Sequence, residues 1–111
     1  MSGSKDDDLN AAAFIDDPQD VAQLLADGAN PDARNDHGQT ALMAAASGGS
    51  VESAKILLAH GVDVKAKDLF GMTALDLAQE AFERAHNAGA SSAADHETMV
   101  EILTDAMDSA G

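Results

Sequence analysis

The chain has 111 residues, with 20 acidic against 6 basic side chains, a net charge of −14 and no cysteine. That length makes one domain, and that charge argues against nucleic acid or an anionic membrane as partner, since both would repel it. A basic protein surface is favoured, unless the acidity only keeps a small protein soluble.

Residues 1–8 read as a disordered acidic arm. No apolar run approaches the roughly 18 residues of a membrane helix, and the polar start is no signal peptide, so a cytoplasmic location is expected. From residue 9 onward the helical spacing of Leu9, Ala12 and Ala13 predicts a helix, broken by Asp16, Asp17 and Pro18. A second short helix follows, with Val21, Leu24 and Leu25 inward and Gly28 supplying the left-handed residue at its end. Residues 29–39 then form a projecting turn or hairpin.

Next, Thr40 is placed to cap a helix over residues 41–47. Gly48 and Gly49 turn the chain, and Ser50 is expected to cap a helix bearing Val51, Ala54, Leu57 and Leu58. Gly61 stops that helix as Gly28 stopped the earlier one. Thr73 and Asp76 form a capping-box pair at the next start. The helix from residue 74 can run on, because Leu75, Ala78, Phe82 and Ala85 hold one face. A small-residue loop spans residues 87–94. Asp95 is expected to cap a closing helix with Met99, Ile102, Leu103 and Ala106 inward.

These elements repeat. Gly38-Gln39-Thr40-Ala41-Leu42 returns 33 residues later as Gly71-Met72-Thr73-Ala74-Leu75, and Leu24-Leu25-Ala26-Asp27-Gly28 returns at the same offset as Leu57-Leu58-Ala59-His60-Gly61. One offset for both pairs means an array of units. Ile102-Leu103, however, follows Ile56-Leu57 by 46 residues. An insertion near residues 84–96 therefore lengthens the last unit, and a role in capping the open end of the core is expected.

A 33-residue unit of this pattern resembles the ankyrin repeat. Residues 38–46 match the family's G-x-T-P-L-H-x-A-A stretch except where it has Pro and His, and Gly61-Val62-Asp63-Val64-Lys65-Ala66 matches its G-A-D-V-N-A turn. The resemblance covers roughly residues 9–104. It implies an all-α, ankyrin-repeat solenoid of helix-turn-helix units joined by projecting hairpin loops. The single domain would occupy residues 9–108, in units of about 9–34, 35–67 and 68–108.

Proteins that resemble ankyrin repeats bind other proteins through the hairpin tips and the concave face of the first helices. Carried over to matching positions, this implies Arg34, Asp36, His37 and Gln39 in the tip before the second unit. Lys67, Leu69, Phe70 and Met72 take the tip before the third. Phe14, Ser47, Gly48 and Glu80 lie on the concave helices. The third tip also stands out on its residues alone: Leu69, Phe70 and Met72 surround a turn glycine where the other tip is polar. They form either an exposed partner site or a surface covered by the long third helix and its loop. Arg34 and Lys67 either orient a docking partner or answer nearby aspartates.

No nucleophile paired with a base, calcium loop or phosphate-binding loop is found. His86, Asp95 and His96, with Ser91 and Ser92 nearby, have no metal-ligand spacing. Solvated surface is expected there, with a small metal-dependent hydrolase as the remote alternative. The expected function is therefore a non-catalytic protein-binding module, without cofactor and monomeric. It would be an inhibitor or immunity-type protein masking a basic partner, or else an adaptor or self-associating module.

Overall fold

The computed structural model describes residues 5–35, 37–89 and 93–110. Its helices follow the repeat in pairs: α1 (Lys5–Phe14) with α2 (Pro18–Ala26), α3 (Ala41–Gly48) with α4 (Val51–Ala59), and α5 (Ala74–Asn87) with α6 (Ala93–Ala110). No strand occurs among the described residues. α3 packs between α1 and α5 in one layer, and α4 packs between α2 and α6 in the other.

The central helix explains the alanine content. α3 touches α1, α4, α5 and α6, so residues 41–46 are all buried, and small side chains let its neighbours approach on every side. Leu42, Met43 and Leu57 fill the space between the layers, joined by Leu9, Val21, Met99 and Leu103, each at most 1% exposed. Truncating such a residue to alanine costs about 2–5 kcal/mol.

Helix ends follow from local chemistry. The hydroxyl oxygens of Thr40 and Thr73 accept from the N–H groups of Met43 and Asp76, and the Asp76 carboxylate closes the box by accepting from Thr73 N–H at 3.1 Å. Asp17 caps α2 through Asp20 N–H. At the ends of α1 and α3, Asp16 (φ 57°) and Gly49 (φ 69°) take the same left-handed turn at positions one repeat apart. The third copy of that position is Phe82, a bulky residue with neither glycine's freedom nor aspartate's tolerance of the left-handed region, and α5 runs on through it for 14 residues.

Three expectations need correction. The acidic arm is shorter: residues 5–8 form the first turn of α1, where the Lys5 ammonium donates to the Asp27 carbonyl and Asp6 accepts from Asn30 N–H. Residues 1–4 lie outside the described residues. Ser50 precedes α4 without capping it. Its hydroxyl donates instead to the Phe14 carbonyl at the end of α1, a partner that stacking places beside it. Asp95 does not precede the closing helix, because α6 starts at Ala93 and carries Asp95 inside its first turn. There its charge still favours the positive helix end.

Candidate functional site

Each tip is a turn built around one side-chain acceptor. Asn35 Oδ1 accepts from the N–H groups of His37 and Gln39, while Asn35 N–H donates to the Gln39 carbonyl. One repeat later Asp68 Oδ1 accepts from Phe70 and Met72 at 2.8 and 3.0 Å, and Asp68 N–H donates to the Met72 carbonyl. Gly38 and Gly71 take the positive φ these turns require. The two tips therefore share one backbone and differ in what it presents.

The first of these tips presents an exposed His37 and a half-buried Gln39; Asp36 lies outside the described residues. The other presents Leu69 at 73% and Phe70 at 86% exposure. Met72 is half-buried, so it does not project as its neighbours do; its backbone is held at both N–H and carbonyl by Asp68. No described residue covers Phe70. Leu69 rests on the preceding tip, where a Cβ on Gly38 would stand 2.8 Å from Leu69 Cγ.

Among the described residues, Arg34 answers carbonyl oxygens and no aspartate. Its guanidinium donates to the Gly38 carbonyl at 2.8 Å and to the Lys67 carbonyl, tying one tip to the next. The Lys67 side chain is exposed.

Below the tips, two adjoining clefts share Phe14, Gln39 and Ser47 as a common wall. The first, of about 380 Å³, is completed by α1 and α3 through Asp7, Asn10, Ala11 and Ala44, with Asn35 from the tip. The second, of about 570 Å³, is completed by Leu77, Ala81, Arg84 and Ala85 of α5 and His96 of α6. Phe14 is 55% exposed, and Ile15 beside it is 70% exposed. Gly48 is placed by contact with α1, since a Cβ there would stand 2.4 Å from the Phe14 carbonyl oxygen. Glu80 is exposed and pairs with Arg84 at 2.6 Å; it is not part of either cleft wall.

Sequence reasoning left out Ile15, Leu77 and Arg84, and considered His96 only with His86 and Asp95 for a metal site. Ile15 had a signal, as an apolar residue off the face set by Leu9, Ala12 and Ala13. The others become neighbours only through the packing of α5 on α3 and of α6 on α5. His96 also corrects the expectation of solvated surface around the insertion. It is 7% exposed and lies against Gly49, and its Nδ1 is buried with no hydrogen-bond partner among the described residues. His86 is exposed and stacks on Phe82 with ring centroids 5.6 Å apart. Ser91 and Ser92 lie outside the described residues. Among the described residues, no group of three or more acidic, histidine or cysteine side chains is close enough to hold a metal ion, and no helix is long and apolar enough to cross a membrane.

The family model for ankyrin repeats, in three copies, matches residues 9–109. No curated protein matches the chain.

Proposed function

Because the chain belongs to the ankyrin-repeat family, whose members are protein–protein interaction modules and typically non-catalytic, we propose that it occupies the surface of a basic partner protein, with Leu69 and Phe70 as its anchors. The observation that carries this reading is the exposure of those two apolar side chains on a tip held by the Asp68 carboxylate. A turn backbone already held in place does not have to order itself on binding, so less conformational entropy is lost there. The net charge of −14 favours a basic partner by complementary potential and speeds encounter. Masking such a partner's active surface fits an inhibitor or immunity-type role.

Affinity capture compares the wild type with a Leu69→Ser/Phe70→Ser variant of equal helicity by circular dichroism. A partner retained by the wild type and lost from the variant supports the tip; equal capture by both excludes it. With the partner in hand, a 1:1 complex that abolishes an activity marks an inhibitor. Simultaneous binding of a second protein marks an adaptor.

A further inference from the structure

The cleft between α3, α5 and α6 gathers donors. In a chain of 20 acidic residues, the described residues lining it include no carboxylate, and the polar groups among them are Gln39, Ser47, Arg84 and His96. Each offers a hydrogen-bond donor. Arg84 shares one nitrogen, Nη2, with Glu80, which leaves Nη1 and Nε open among the described residues. His96 stands in the cleft wall at 7% exposure, and an imidazole ring always carries a donor proton on at least one nitrogen. Phe14, Leu77, Ala81 and Ala85 supply an apolar floor.

The geometry points to a binding site for a carboxylate attached to an apolar or aromatic side chain, and specifically for the C-terminal residue of a protein partner. The donors take the carboxylate, Arg84 by a charge-assisted pair, while the apolar residues take the side chain. A chain terminus is favoured over a free acid because the site does not end there. It shares Phe14, Gln39 and Ser47 with the adjoining cleft, on a chain whose net charge is −14. A peptide that places its terminus near Arg84 and His96 therefore runs on along a strongly acidic molecule suited to lysine or arginine upstream. This site lies apart from Leu69 and Phe70 and stands whether or not that tip binds.

The test is a methyl-detected NMR titration of the full chain with a short acetylated lysine peptide ending in a free phenylalanine. Shifts at Leu77, Ala81 and Ala85 are expected to saturate at about tenfold lower concentration than with the same peptide amidated, since the amide loses the charge-assisted bonds. Arg84→Gln, at an exposed position, is expected to erase that difference with unchanged helicity, and Ser47→Ala to weaken the acid peptide alone. Absent shifts, or equal binding of acid and amide, overturn the site. N-acetylphenylalanine binding as tightly as the peptide overturns the protein terminus in favour of a free carboxylic acid. The Leu69→Ser/Phe70→Ser variant is expected to bind the peptide as the wild type does, so failure at either place is read separately.

Discussion

Leu69 lies over Gly38: a Cβ added to that glycine would stand 2.8 Å from Leu69 Cγ and 3.2 Å from Leu69 N. Gly71 occupies the same position one repeat later, with nearly the same φ and nothing within 4 Å of a Cβ. Alanine at Gly71 therefore meets only the left-handed backbone, a cost of about 1–2 kcal/mol. Alanine at Gly38 meets that and the contact with Leu69. Thermal or urea unfolding is expected to show Gly38→Ala as the more destabilising, with the excess shrinking in a Leu69→Ala background. Equal costs would mean that the tips do not stack as described.

Asp68 organises the apolar tip by accepting from Phe70 and Met72, and Asn35 does the same for its own turn. Asp68→Asn is expected to be nearly neutral, because the amide keeps one acceptor oxygen. Asp68→Ala is expected to cost about 1 kcal/mol of stability and to raise hydrogen exchange at Phe70 and Met72. Exchange unchanged in the alanine variant would refute this account of the tip.

Ser50 is 1% exposed, and its hydroxyl donates to the Phe14 carbonyl at 3.0 Å. Ser50→Ala leaves that oxygen without this donor and is expected to cost about 1–2 kcal/mol. Gly48→Ala is expected to cost at least as much, about 1–3 kcal/mol, since its Cβ drives against backbone that cannot rotate away. Urea unfolding of both variants checks the pair. A neutral Gly48→Ala would show that α1 and α3 have room to part.

Affinity for a basic partner is expected to fall with ionic strength, chiefly through slower association, as surface charges are screened over about 8 Å at 0.15 M salt. Stopped-flow or surface-based kinetics at two salt concentrations reads this directly. An association rate indifferent to salt would remove charge from the recognition and leave the apolar tip alone.

The fold was legible because its signals are local. Thr40 and Thr73 cap helices from within three residues, the turn glycines 28, 49 and 61 have positive φ because no side chain opposes it, and the 33-residue offset states the length of the unit. The acidity and the contrast between the polar and apolar tips are likewise plain in the residues. Tertiary structure decided what depends on atoms far apart in the chain. Asp6 reaches Asn30 and lengthens α1, Arg34 spans to Lys67 and becomes a clasp, and Ser50 turns to Phe14 instead of capping its own helix. The insertion carries His96 against Gly49 and into a cleft with Arg84. A sequence reports which groups a segment offers to its own backbone; which distant group takes them is set only when the repeats stack and water is excluded between them.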